Sequence, residues 1–267
     1  MSHIKKQRAD LIAALDRHAE LAIAVSGGVD SMVLAYVAHR FSRTKATVVH
    51  AVSPAVPELA TQRVRAHACT HGWTLRLIDA GEMADPAYIS NPVDRCFYCK
   101  SNLYGRIARM TGSMIASGTN VDDLSDYRPG LKAAQEHQVC HPYVEAGLHK
   151  SDIYALAAAH GLTDLAALPA QPCLSSRIET GIAVDAATLK FIERAEQGLA
   201  QRMPASDAIR CRITSVGVVI ECAHLPEGEQ REQVERWVAD LCSESGRSFA
   251  GLRPYRRGAA FLRQVTA

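Results

Sequence analysis

Apolar residues along this chain fall into short runs, separated by stretches in which they recur every three or four positions. Leu21-Ala22-Ile23-Ala24-Val25 and Ala46 to Val52 have the length and apolar content of buried strands, whereas 31–41 and 58–71 carry helical spacing. A strand over 74–78, a helix from about Arg95, a strand over 113–117 and a helix over 151–160 continue the rhythm. Strand and helix in alternation specify a parallel sheet covered by helices on both faces, so the fold class is α/β. Ligands then belong at the carboxyl ends of the strands. A Pro-, Ser- and Gly-containing connection over 169–182 separates this first domain, 1–168, from a different pattern over 183–267. There the expected order is helix 184–202, strands 208–214 and 216–222, helix 226–242 and a strand near 249–252, a smaller α/β domain.

The junction of the first strand and helix reads Ser26-Gly27-Gly28-Val29-Asp30-Ser31. Two adjacent glycines let backbone N–H groups approach an anion, the following helix aims its positive end at the same point, and Ser26 and Ser31 add hydroxyl donors. The segment lacks the lysine and the spacing of a Walker loop. It resembles instead the SGGxDS loop of the PP-loop ATP pyrophosphatases, in which β and γ phosphates are gripped and the α phosphate is transferred.

Charge and cysteine content narrow the setting. With 30 Lys+Arg against 28 Asp+Glu, the net charge of +2 gives no global pull toward nucleic acid, so local basic clusters must carry any anion binding. No apolar run approaches the ~18 residues of a membrane span and no signal peptide is evident, so a cytoplasmic protein without membrane partners is expected. Eight cysteines in that setting read as free, metal-bound or catalytic thiols rather than as disulfides.

Cys96-Phe97-Tyr98-Cys99 follows Asp94, which can cap a helix whose first turn carries both thiols on one face. A helix N-terminus favours thiolate, the form that binds metal or attacks an electrophile, but one C-x-x-C is half of a four-ligand site. Cys173 supplies a third thiol, within Gln171-Pro172-Cys173-Leu174-Ser175-Ser176-Arg177, where Arg177 can stabilise thiolate or bind phosphate. Alone, Cys173 suggests a nucleophile or sulfur donor. The three together suggest a 4Fe-4S cluster with one iron open to a non-protein ligand, with zinc as the competing metal.

Three further groups are candidates. Ser117-Gly118-Thr119-Asn120-Val121-Asp122-Asp123 follows a strand, placing Gly118, Thr119 and Asn120 at the same sheet edge for nucleotide contact; Asp122 and Asp123 suit Mg2+ bound through phosphate, with Arg128 nearby in sequence. Arg210 and Arg212 project from one face of a strand as a phosphate clamp, and Glu196, with Glu193, lies on the preceding helix. His67-Ala-Cys-Thr-His71 has ligand-like spacing but closes a helix before Gly72, and reads as structural; Cys140, Cys211, Cys222 and Cys242 read as small apolar residues.

Taken in order, SGGVDS, NPVDRCFYCK, SGTNVDDLSDYRPG, PCLSSRI, the Arg-x-Arg strand and Tyr255-Arg256-Arg257-Gly258 resemble the LarE-type ATP-dependent sulfur transferases over about residues 15–258. The resemblance implies a PP-loop domain with a small C-terminal domain and a homo-oligomer, a hexamer. It implies adenylation of a carboxylate on a pyridinium mononucleotide, with Asp30, Arg177 and Cys173 in catalysis and Ser26, Gly27, Gly28, Ser31, Gly118, Thr119, Asn120, Asp122 and Arg128 on ATP and Mg2+. Ser176, Glu196, Arg210 and Arg212 then meet the acceptor, and sulfur is inserted on the way to a nickel-pincer nucleotide. One branch of the family sacrifices the sulfur of a single cysteine matching Cys173; the other uses three cysteines, matching Cys96, Cys99 and Cys173, to hold a cluster that carries extra sulfide. All three are present here, which implies the cluster branch, with sulfide or another sulfur donor as co-substrate. A tRNA-thiolating PP-loop enzyme and a non-catalytic nucleotide and metal sensor are the alternative readings; no RNA-binding appendage or basic face is evident in the sequence.

Overall fold

A computed structural model describes residues 3–125, 129–204 and 208–256. In chain order the elements are α1 (His3–Leu15), β1 (Glu20–Ala24), α2 (Val29–Phe41), β2 (Lys45–Ala51), α3 (Glu58–His71), β3 (Leu75–Ile78), α4 (Pro86–Ile89), α5 (Arg95–Thr111), β4 (Met114–Ser117), α6 (Pro129–Glu136), α7 (Pro142–Glu145), α8 (Lys150–Ala159), α9 (Thr163–Ala166), α10 (Ala186–Arg202), β5 (Ile209–Thr214), β6 (Gly217–Cys222), α11 (Gly228–Glu244) and β7 (Phe249–Pro254). They form two compact units, Met1–Glu82 with Cys96–Gln171, and Met83–Arg95 with Pro172–Ala267. Among the described residues no helix is long and apolar enough to cross a membrane.

The first unit is built on a four-stranded parallel sheet in the order β3-β2-β1-β4. Alternation along β1 explains why helices cover both faces. Leu21 and Ile23 join a core with Leu11, Leu15, Met32, Leu34 and Leu156, while Ala22 between them joins Ile107, Ile115 and Ala134 on the other side. The parallel sheet with flanking helices has the PP-loop-like α/β form expected from the sequence. Its register matters for function, because Ala24 pairs with both Val49 and Ser117. The loops that begin at Ser26 and Gly118 therefore leave adjacent strands at the same carboxyl edge.

The second unit carries a separate three-stranded mixed sheet, β5-β6-β7, with β5 antiparallel and β7 parallel to β6. Antiparallel neighbours need only the tight turn between Thr214 and Gly217, whereas the parallel return to β7 is made through α11. Gly198, in the middle of α10, is explained by α11: a Cβ there would lie 2.4 Å from the Trp237 ring. Segment 83–95 is tied into this unit by Asn91, fully buried at φ 54°, whose Nδ2 donates to the carbonyls of Glu179 (2.8 Å) and Ile182 (2.9 Å). Tyr88 and Ser175, both buried, join hydroxyls at 2.6 Å.

Candidate functional site

The loop between β1 and α2 closes on the hydroxyl of Ser31, which accepts from the Ser26 N–H at 3.1 Å and donates to the Gly28 carbonyl at 3.1 Å. Gly28 is the N-cap of α2 and offers no side chain to its first N–H groups, so the helix end is left for an external acceptor. Three glycines at this edge differ in why they are glycine. Gly27 has φ +82° and a Cβ would sit 2.8 Å from the Ala60 carbonyl oxygen; Gly118 would bring a Cβ to 2.8 Å from the Ser31 nitrogen. Gly28 has φ −80° and ψ 158°, which any residue adopts, and a Cβ would meet only Ser26 Oγ at 3.5 Å. The fold demands the first two; only open space above the helix end asks for the third.

Asp30, Asn120, Asp122 and Asp123 are held in one network. Asp30 Oδ1 receives Asn120 Nδ2 at 3.4 Å, its backbone carbonyl receives the Tyr143 hydroxyl at 2.9 Å, and Oδ2 pairs with Lys150 Nζ. Thr119 Oγ1 lies 3.0 Å from Ser117 Oγ, which also bonds His141. Asp122 faces the start of α8, accepting from His149 Nδ1 at 2.6 Å and from the Lys150 N–H at 2.8 Å. The His149 hydrogen bond lowers the Asp122 pKa and raises that of His149 in turn. Asp123 accepts from the Asn120 N–H at 3.1 Å. Both aspartates thus shape the turn that carries Asn120. Below the loop, Arg63 donates to the Gly27 carbonyl at 2.8 Å and His50, wholly buried, bridges the Val25 carbonyl and Thr61. Lys150, Tyr143, Arg63 and His50 carry no motif of their own in the sequence. Arg128 lies outside the described residues, as do Arg257 and Gly258.

In the second unit, Cys173 is the N-cap of a 3-10 turn, Leu174–Arg177. Arg177 folds back over that turn, donating to the carbonyls of Pro172 (2.7 Å) and Cys173 (3.1 Å) and to Ser176 Oγ (3.0 Å). Its other edge forms a two-point pair with Glu196, at 2.9 Å through both Nε and Nη2, and Glu196 also accepts from the Cys211 N–H at 3.0 Å. Burial opposes the charge on Arg177, and the Glu196 carboxylate more than offsets it, leaving the pKa above the ordinary arginine value. Glu196 therefore orients Arg177.

Arg210 and Arg212 alternate with buried Cys211 and Ile213 on β5, as the sequence predicts, but their surroundings differ. Arg212 is committed: Nε meets Glu221 at 2.7 Å and Nη1 donates to the Ser176 carbonyl at 2.8 Å, while Glu221, fully buried, also pairs with Arg253 at 2.9 Å. Arg210 donates to its neighbour's carbonyl, Ile209, and its guanidinium lies 5.7 Å from the Tyr255 ring centre. Burial, then the nearby Arg177 charge, pull its pKa down. Such a group gains from an incoming anion.

The cysteines divide by environment. Burial pushes Cys140 up to about 12 and Cys222 up to about 11, and raises Cys211 and Cys242 as well. These four stay protonated at neutral pH, in keeping with small apolar roles. Cys96 and Cys99 sit in the first turns of α5, half-buried, and Cys173 is half-buried on its turn. Among the described residues, no group of three or more His, Cys, Asp or Glu side chains is gathered as a metal site. His67 is structural, as expected, with Nε2 on Asp164 at 2.8 Å and its ring near Trp73.

No family model matches the chain. It is 36% identical over 223 residues to the uncharacterized protein slr1717 of Synechocystis sp., covering 82% of this chain and 80% of that one. It is 27% identical over 209 residues to the uncharacterized protein MJ0830 of Methanocaldococcus jannaschii, covering 77% and 78%. Over 169 residues, 61% of each chain, it is 31% identical to the pyridinium-3,5-bisthiocarboxylic acid mononucleotide synthase of Lactiplantibacillus plantarum. At 36% identity across four fifths of both sequences, the chain belongs to the family of slr1717, and it shares a partial similarity with the synthase.

Proposed function

We propose that this protein is a sulfur transferase of nickel-pincer nucleotide synthesis. It activates a carboxylate of a pyridinium biscarboxylic acid mononucleotide by AMP transfer from ATP and replaces the activated oxygen with sulfur. The observation that carries the reading is Gly28, a glycine that backbone conformation and packing do not require, at the uncapped start of a helix flanked by two serine hydroxyls. A polyphosphate is the ligand such a cradle suits. The synthase similarity supplies the acceptor class. In this scheme Mg2+ accompanies ATP, and the turn 118–120 borders the nucleotide.

The residues around Cys173 serve the second half-reaction. Glu196 and the backbone of the 3-10 turn hold Arg177 so that one fixed cation stands beside the thiol, and Arg210 takes the acceptor's phosphate. The cluster reading rests on the donor set alone: Cys96 and Cys99 are half-buried thiols three apart at the start of one helix, and Cys173 is a third half-buried thiol, the soft donors that a 4Fe-4S cluster takes. When bound, such a cluster supplies a site for exchangeable sulfide. Assembly as a homo-oligomer and a cytoplasmic location belong to the same proposal.

The test is anaerobic protein given MgATP and the pyridinium biscarboxylate. Pyrophosphate release that depends on the acceptor, with iron and sulfide lost in Cys96→Ser, Cys99→Ser and Cys173→Ser, is the expected result. Absence of pyrophosphate release refutes the adenylation. A loss of about 34 Da from the wild-type chain, H2S from cysteine, assigns the sulfur to Cys173 itself and refutes the cluster.

A further inference from the structure

We infer that Lys150 is the cation that acts on the leaving pyrophosphate in this site, an assignment that rests on the adenylation proposed above. The β1–α2 loop has no lysine of its own, and its acid, Asp30, lies in the first turn of α2, where the helix end would draw a polyphosphate. A phosphate entering beside that carboxylate meets a like charge. The ammonium already paired with Asp30 Oδ2 is Lys150, brought from 120 residues away.

Its backbone is fixed by the same turn that approaches the loop. Asp122 accepts from the N–H of Lys150, the neighbouring Asn120 donates to Asp30, and Gly118 packs on the backbone of Asp30 and Ser31 at distances that admit no side chain. Lys150 is the first residue of α8, a ten-residue helix whose N-cap, His149, is held by Asp152 and Asp122. The ammonium end is not sealed in: the Lys150 side chain is 33% exposed and that of Asp30 27%. Arg63, the other cation bonded to the loop, is spent on the Gly27 carbonyl and the Gln171 side chain. A flexible four-carbon stem lets Nζ exchange the Asp30 oxygen for a phosphate oxygen without moving the helix, while Asp30 becomes available to the metal that accompanies ATP.

In the transfer, an oxygen of the acceptor carboxylate bonds to the α phosphorus as the bond from that phosphorus to the α–β bridging oxygen breaks. The bridging oxygen keeps the electron pair, pyrophosphate leaves, and AMP remains on the carboxylate. Lys150 sets its charge against the oxygens that gain negative charge in that step and gives up no proton.

The experiment measures pyrophosphate release from MgATP with the pyridinium biscarboxylate, and binding of α,β-methylene-ATP by calorimetry, in wild type, Lys150→Met, Lys150→Arg and Lys150→Ala. Lys150→Met should lower kcat by about 100- to 1,000-fold, the loss seen when one donor to a developing charge is removed, with analogue binding largely kept. Lys150→Arg should recover part of the rate, and propylamine should restore Lys150→Ala in a saturable way. The pair is only partly buried and solvent reaches both side chains, so thermal stability should change little. A wild-type rate in Lys150→Met overturns the assignment while leaving the adenylation intact. Loss of analogue binding and of thermal stability together, without amine rescue, makes Lys150 a strut for Asp30 and overturns it too. If the wild type itself neither binds the analogue nor releases pyrophosphate, the adenylation fails first.

Discussion

Gly27 and Gly28 stand side by side, and their geometry predicts opposite outcomes for the same substitution. At Gly27, alanine would adopt φ +82° and place its Cβ 2.8 Å from the Ala60 carbonyl oxygen, against an ordinary contact of 3.4 Å or more. The obstacle is helix backbone of α3, so the loop must move. A left-handed alanine costs about 1–2 kcal/mol and overpacking about 1–3 kcal/mol, so Gly27→Ala should lose about 2–5 kcal/mol. At about 2–4 °C per kcal/mol for a domain of this size, Tm should fall on the order of 10 °C. At Gly28 the backbone is extended and the nearest atom to a Cβ is Ser26 Oγ at 3.5 Å, so Gly28→Ala should leave Tm within about 2 °C of wild type. If that open space receives phosphate, Gly28→Ala and more so Gly28→Val should abolish the stabilisation that MgATP gives the wild type. Scanning calorimetry of the wild type and the three variants, with and without MgATP, reads both effects. A Gly28→Ala that melts as early as Gly27→Ala would refute the structural argument, and one that keeps the full MgATP stabilisation would refute the phosphate cradle.

Other outcomes follow from the second unit and from the buried histidines. Glu221→Gln leaves the Arg212 and Arg253 guanidiniums without their shared countercharge and should cost about 3–5 kcal/mol, read from urea unfolding by Trp237 fluorescence in a Trp73→Phe background. Gly198→Ala should destabilise by about 1–3 kcal/mol, although alanine is the better helix former, because its Cβ meets Trp237 at 2.4 Å; a stabilised variant would contradict that packing. Burial lowers the pKa of His39, His50, His71, His141 and His160 below 6.5, so the unfolded chain binds more protons than the native one under mildly acid conditions. Stability should hold above pH 6.5 and fall as pH drops through it, with a shallower fall in His50→Gln; His149, raised by Asp122, acts in the opposite sense. A Tm independent of pH between 7.5 and 5 would show that these histidines charge without cost.

What the sequence made legible was what local pattern encodes. The near-continuous apolar runs found β1 and β2, because strands of a parallel sheet are covered on both faces, and helix 58–71 was bounded by Gly72, which does take the left-handed cap at φ 66°. Helix α1 escaped notice because its buried side, Gln7, Leu11, Ala14 and Leu15, is thin and includes a glutamine, and α4, α7 and α9 are single turns set by their neighbours. The site was legible as far as motifs go: the β1–α2 loop and the turn from Gly118 stand on adjacent strands, and Arg210 and Arg212 share a strand. Beyond that, chemistry depends on contacts across long separations. Lys150 meets Asp30, Glu196 meets Arg177, and Glu221 separates the otherwise equivalent Arg212 from Arg210. Periodicity carries no trace of such pairings.

Those pairings also explain how a chain with a net charge of only +2 can present strong local fields. In the second unit, Arg177, Arg210, Arg212 and Arg253 share a neighbourhood with the carboxylates of Glu196 and Glu221, and the carboxylates are claimed by three of the four. Arg210 is the remainder, depressed in pKa by burial and by Arg177. A half-buried guanidinium with no carboxylate bonded to it among the described residues is partly desolvated, which favours a charged ligand over a neutral one. In the first unit, the opposite arrangement holds: Asp30 places a negative charge at a helix end built for anions, and Lys150 cancels it. The two devices differ in sign, but both keep a charge in reserve, held by a partner in one case and by partial burial in the other, at the two points where the proposed reaction needs a cation for a phosphate.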